Sequence, residues 1–186
     1  MNQIFYDAVG NNPIIAAVKN MEDIEVSCTI EEIQVIFILF GDVCSIDRIV
    51  KRVKGAGKVA MVHVDLISGL SPKEISVEYL KEHTEADGII STKPSLIKKA
   101  KELGMITIVC ADSTVEAKAV ACMDPDIVLA EPTDLIGTGQ VADDSYTIET
   151  VKDLHEVNPD VLVMIASGVS TAEDCYNVVK LWSRTE

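Results

Sequence analysis

A chain of 186 residues, 48% apolar and 25% charged, has the make-up of one globular domain with a sizeable core, which excludes a disordered or fibrous protein. A net charge of −14 and only 4% aromatic residues argue against a general nucleic-acid binder, which needs cations for phosphates and rings for bases. The longest apolar run, Val35 to Phe40, is far too short for a bilayer, and Met1-Asn2-Gln3-Ile4 shows no signal-peptide pattern, so no membrane partner and a cytoplasmic location are expected.

The five cysteines, Cys28, Cys44, Cys110, Cys122 and Cys175, never form a CxxC pair. They read as reduced thiols, with no metal site and no cofactor expected. The charge is uneven. Residues 1–104 carry 12 Lys/Arg against 15 Asp/Glu, and residues 105–186 carry 4 against 15, so any RNA contact falls in the first half.

In chain order, apolar runs of strand length recur about every 25 residues, with helical patterns between them. Strands are predicted at Ile14–Val18, Val35–Phe40, Val59–Leu66, Gly88–Ser91, Ile106–Cys110, Ile127–Ala130 and Val161–Ala166. The runs are continuous rather than alternating, as parallel strands covered on both faces require. Ser45 opens a helix with Ile46, Ile49, Val50 and Val53 on one face, closed by Gly55. Ser71-Pro72-Lys73-Glu74 reads as a capping box with proline at the first helical position. Pro94 starts another helix, ended by Gly104 as a C′ glycine. Ser113 to Glu116 and Ser170 to Glu173 repeat the capping-box spacing, and the last helix runs from Ala172 to Leu181.

Repeated βα units predict an α/β, TIM-barrel-like parallel barrel. Seven strands are read, and no segment after Ser170 supplies an eighth. Residues 1–186 read as a single (β/α)-barrel domain without linker or low-complexity tract. Open sheet edges on strands one and seven predict a homo-oligomer.

Ligands in such folds sit at the carboxyl ends of the strands. Met61, His63 and Asp65 share one face of strand three by the period-two rule. His63 and Asp65 there either bind a ligand hydroxyl and move a proton, or form an internal pair. Strand four ends in Ser91-Thr92-Lys93-Pro94, where hydroxyls and a lysine entering a helix suit an anion or simply cap the helix. Glu131 at the end of strand six precedes a loop with Gly137, Thr138 and Gly139. That pattern places a base over a ligand and a pliant backbone over its phosphate, or is a long turn with a solvated acid. Gly168 and Ser170 after strand seven have the makings of a phosphate cradle. The basic stretches Arg48 to Lys58 and Lys98 to Lys101 read as solvated helix faces, with an RNA patch as the alternative.

Three stretches make the first half recognisable: Pro13 to Asp23, Gly57-Lys58 leading into His63-Val-Asp-Leu-Ile-Ser-Gly-Leu70, and Gly88-Ile-Ile-Ser-Thr-Lys93. Residues 13 to about 104 resemble the glycerol-3-phosphate-responsive antiterminator family. The resemblance implies a small barrel that senses glycerol 3-phosphate and binds leader mRNA, with Lys19, His63, Asp65 and Lys93 at the ligand mouth. From about residue 98 to 180 the chain resembles the archaeal-type triosephosphate isomerases instead. That match runs through Gly104 to Cys110, Glu131-Pro-Thr-Asp-Leu-Ile-Gly-Thr-Gly139, Val157-Asn-Pro-Asp160 and Ala166 to Asp174. It implies Glu131 as catalytic base, Gly137, Thr138 and Gly139 in a closing lid, and Gly168 and Ser170 near the phosphate. It also calls for a lysine after strand one and a histidine on strand four as electrophiles. Lys19 is about one residue out of register with the first, and Ser91 and Thr92 stand where the second belongs.

The chain therefore reads as a mosaic of two half-barrels joined near residues 98–110, both of whose parents take a three-carbon phosphate. Isomerisation needs a base and an electrophile together, and Glu131 lacks its partners. The favoured reading is thus a regulator whose partners are glycerol 3-phosphate or a triose phosphate and leader mRNA. An isomerase-like enzyme comes second, and a chimeric or truncated barrel without function third.

Overall fold

The computed structural model describes residues 3–131, 143–164 and 168–182, with only the backbone of Ile4, Leu181 and Trp182. Strands and helices alternate along the chain in the manner of an α/β, TIM-barrel-like fold, and the described residues hold seven strands. Two compact units, Met1–Thr107 and Ile108–Glu186, divide the chain within β5 (Ile106–Ala111). No helix among the described residues is long and apolar enough to cross a membrane.

In the first unit, β1 (Ala16–Val18), β2 (Val35–Ile38), β3 (Val59–His63) and β4 (Gly88–Ser91) pair in parallel and in chain order. Every residue of β2 and β4 is buried, as strands covered on both faces should be. The helix α3 (Ile46–Gly55) buries Ile46, Ile49, Val50 and Val53, the four residues that its apolar spacing puts on one face. Each contributes roughly 1.5–3 kcal/mol of transfer free energy. At the amino ends of the strands the Asp87 carboxylate accepts Lys54 Nζ at 2.7 Å and the Ala60 amide at 2.8 Å, joining α3, β3 and the start of β4. Gly88 opens β4 because a Cβ there would meet the Ile106 carbonyl and, at 2.5 Å, the tip of Met61.

Several local expectations shift. The strand predicted to run to Leu66 ends at His63, and the chain tightens into a 3₁₀ turn, Val64–Leu66, so Asp65 does not share a strand face with His63. The strands predicted at Ile14–Val18 and Val35–Phe40 are shorter, at Ala16–Val18 and Val35–Ile38. The helix α4 (Glu74–His83) starts after Pro72, not at it: Lys73 is its N-cap, and the Ser71 carbonyl and amide are bonded to the Ser76 hydroxyl. The left-handed residue after α3 is Gly57 (φ 74°) rather than Gly55. The Gly57 and Lys58 amides close the helix on the Lys54 and Val53 carbonyls. Past α5 (Pro94–Glu102), Gly104 (φ 67°) takes its expected place, and the Met105 amide reaches the Ala100 carbonyl. Two helices carried no strong sequence signal: α1 (Gln3–Asn11), which buries Phe5 and Ala8, and α2 (Met21–Thr29), whose N-cap Asn20 accepts the Asp23 amide.

In the second unit β5, β6 (Ile127–Ala130) and β7 (Leu162–Met164) pair in parallel, again in chain order. The predicted capping serine Ser113 accepts the Glu116 amide at the start of α6 (Thr114–Ala121). This helix packs on α7 (Asp144–Val157), where the Thr114 and Thr150 hydroxyls meet at 3.1 Å. At α8 (Ala172–Trp182) the capping pair is displaced by one residue from Ser170/Glu173 to Thr171/Asp174.

Candidate functional site

The short 3₁₀ turn after β3 lifts Asp65 off the strand and toward the end of β4. Val64 is buried beneath it, and the Ile67 amide closes the turn on the Val64 carbonyl. From there the Asp65 carboxylate takes four donors. Oδ2 accepts the Ser91 hydroxyl at 3.0 Å, the Thr92 amide at 2.8 Å and the Thr92 hydroxyl at 3.3 Å. Oδ1 accepts Lys93 Nζ at 3.0 Å. Ser91 is fully buried and its Oγ also accepts the Lys93 amide, so both roles of that hydroxyl are used. Lys93 is the N-cap of α5, with Pro94 behind it. The result is a tied turn from which an ammonium, with its side chain 41% exposed, emerges beside a helix N-terminus.

The electrostatics follow from this wiring. Burial alone would push the Asp65 carboxyl up, but the Thr92 amide, the Lys93 ammonium and the Ser91 hydroxyl together hold it below the usual carboxylate range. Burial lowers His63, outweighing the attraction of the Asp65 charge, with Lys93 adding to the lowering. The ring is therefore held neutral, and its Nδ1 is buried without a hydrogen-bond partner among the described residues.

Of the residues singled out in the first unit, the structure brings together Asp65, Ser91, Thr92 and Lys93, with His63 close enough to feel the charges of Asp65 and Lys93. Lys19 stands apart from this network. It follows β1, its amide bonds the Asp23 carboxylate at 3.3 Å, and its ammonium makes no ion pair among the described residues. In the second unit Glu131 is half-buried just past β6, with its amide on the Ala111 carbonyl. Gly168 is left-handed (φ 73°). The Ser170 amide, the Thr171 amide and the Thr171 hydroxyl all donate to Asp174 Oδ2, so a carboxylate of the chain itself occupies that helix start. Gly137, Thr138 and Gly139 lie outside the described residues. No group of three or more His, Cys, Asp and Glu among the described residues is placed to hold a metal ion.

Most of the basic stretch residues are already partnered. Lys51 pairs with Asp47, Arg52 with Glu25, Lys54 with Asp87 and Lys99 with Glu78. Lys58 is buried and caps the carbonyls of Ile30 and Ile33 at the end of α2, a position that only the folded chain reveals.

Comparison with known proteins adds to this geometry. The model of the glycerol-3-phosphate responsive antiterminator family matches residues 14–133. The Escherichia coli K12 "Uncharacterized protein YgcP" is 48% identical over 97 residues, covering 52% of this chain and 50% of that protein. The triosephosphate isomerase of Methanocaldococcus jannaschii is 34% identical over 125 residues, covering 60% and 57%. The chain spans about half the length of the curated relatives it matches. Among solved structures, a glycerol uptake operon antiterminator regulatory protein from Listeria monocytogenes superposes with a TM-score of 0.73 at 22% identity, covering 90% of this chain and 86% of that one. An antiterminator-related protein from Thermotoga maritima gives 0.69 at 23%, covering 89% and 88%. At these identities the superpositions speak for the fold.

Proposed function

Since this chain belongs to the glycerol-3-phosphate responsive antiterminator family, we propose that its first unit binds a three-carbon phosphate ester, glycerol 3-phosphate foremost, and that the protein is a ligand-responsive regulator. The supporting observation is the tied turn at the end of β4. Lys93 spends one of its three protons on Asp65 and keeps two for an incoming phosphate, next to the N-terminus of α5. His63, held neutral nearby, offers a ring nitrogen to a ligand hydroxyl. Leader mRNA is the proposed macromolecular partner, met by the first unit, because the second carries nearly all the excess negative charge.

Calorimetric titration of glycerol 3-phosphate and, separately, dihydroxyacetone phosphate tests the ligand reading. Heat with glycerol 3-phosphate whose affinity weakens, but stays measurable, in Lys93→Gln supports it; no heat from a folded chain with either compound rejects it. Salt-dependent RNA binding that changes when glycerol 3-phosphate is added supports the regulatory half of the proposal.

An isomerase reading is kept alive by one observation, the 34% identity to a triosephosphate isomerase together with Glu131 at the end of β6. Turnover of glyceraldehyde 3-phosphate that vanishes in Glu131→Gln would favour it over the regulator.

A further inference from the structure

The Asp65 carboxylate is engaged by the chain's own donors on both oxygens. An ionised carboxylate has about four acceptor sites. Asp65 meets two hydroxyls, one amide and one ammonium, three on Oδ2 and the ammonium on Oδ1, drawn from three successive residues at the end of β4 and the start of α5. Its side chain is 14% exposed, against 41% for Lys93. What remains open around it is the surface of its donors: two protons of Lys93 and lone pairs of the Thr92 hydroxyl. The Ser91 hydroxyl is fully buried inside the turn, donating to Asp65 and accepting from the Lys93 amide.

We infer that Asp65 is a positioning residue of the phosphate site: it does not touch the ligand but, with the buried Ser91 hydroxyl, holds Thr92 and Lys93 in the arrangement that does. This deepens the ligand reading above and rests on it. The physical reason is ordering. A lysine side chain loses much rotamer freedom when it is fixed. A partner that restrains it before the ligand arrives removes part of that cost from binding. Asp65 comes from a different strand end than the residues it restrains, so the tie also fixes the β4–α5 turn against the end of β3.

A double-mutant cycle separates positioning from contact, with glycerol 3-phosphate and inorganic phosphate as the two probes. Asp65→Asn keeps the shape and an acceptor for the Thr92 amide but loses the ion pair. Binding of both probes is expected to weaken alike, by about tenfold, and Asp65→Asn is expected to add nothing in a Lys93→Gln background. If Asp65→Asn still weakens glycerol 3-phosphate in that background, or spares inorganic phosphate, Asp65 contacts the glycerol hydroxyls and the inference is overturned. Tighter phosphate binding by Asp65→Asn would overturn it as well, since the carboxylate would then be opposing the anion. A wild-type chain that binds neither probe rejects the ligand reading itself, a result distinct from the other two. A second measurement needs no ligand: acetylation of Lys93 followed by mass spectrometry. Lys93 should react several-fold faster in Asp65→Asn while the exposed Lys98 on the same helix is unchanged. Equal rates at Lys93 would show that Asp65 does not restrain it.

Discussion

The two units use the same chemistry at a helix start in opposite ways. In the second, Asp174 lies in the first turn of α8 and accepts the amides and hydroxyls of Ser170 and Thr171, three or four residues before it. In the first, Asp65 accepts the same kinds of donor from Ser91, Thr92 and Lys93, 26 to 28 residues after it. The local carboxylate takes up the Ser170 and Thr171 amides at the entrance to its own helix. The distant one fixes a turn from another strand end and leaves a lysine pointing outward. A carboxylate near a helix N-terminus is therefore a cap or a brace according to where in the chain it comes from.

The contrast can be broken from either side. Asp65→Ala should be the more damaging change, because it strands a buried hydroxyl and leaves the turn without its acceptor. A loss of about 2–3 kcal/mol in urea unfolding is expected. Asp174→Ala removes a local cap whose donors can turn to water, and a clearly smaller loss is expected in the same assay. Equal costs would mean that the long-range tie is no more than a cap.

Protonation gives a finer probe. The folded state lowers His63 from its ordinary value of 6.5, so between the lowered value and 6.5 the unfolded chain holds more protons than the folded one. Stability should therefore rise with pH through that window, level off above it, and fall as acid is added. His63→Gln should flatten that part of the curve, which pH-resolved thermal unfolding can follow. Asp65 and Asp174 act in a separate window. Both are held below 3.8, so the stability they contribute is complete above that pH and is lost as the pH falls through their lowered values. The smallest effect should come from Ser170→Ala, within about 0.5 kcal/mol, because its exposed hydroxyl reaches Asp174 only at 3.5 Å and Thr171 carries the cap.

The candidate site was half legible before folding was considered. Ser91-Thr92-Lys93 before Pro94 reads as an anion-suited helix entry from four adjacent letters, and His63 and Asp65 draw notice as polar residues at the end of an apolar run. The period-two rule nevertheless put Asp65 on the face of His63, because nothing in Val64-Asp65-Leu66 announces that the strand stops and tightens into a 3₁₀ turn. The basic stretch on α3 looked like a free cationic face. Its partners Glu25 and Asp87 lie 27 and 33 residues away, beyond any local pattern.

By itself the sequence determined what depends on neighbours within about four residues or on the continuity of apolar runs. Those features are the seven strands, the buried face of α3, the Ser113 cap, the Gly104 helix end and the stretches that mark the family. Tertiary structure alone decided the burial of Lys58 between two carbonyls, the pairing of the surface cations and the four donors gathered on Asp65. The reason is physical. Helix and strand periods are properties of a short segment, whereas a carboxylate's partners are set by which strand ends parallel pairing brings side by side, and that is settled only when the sheet has formed.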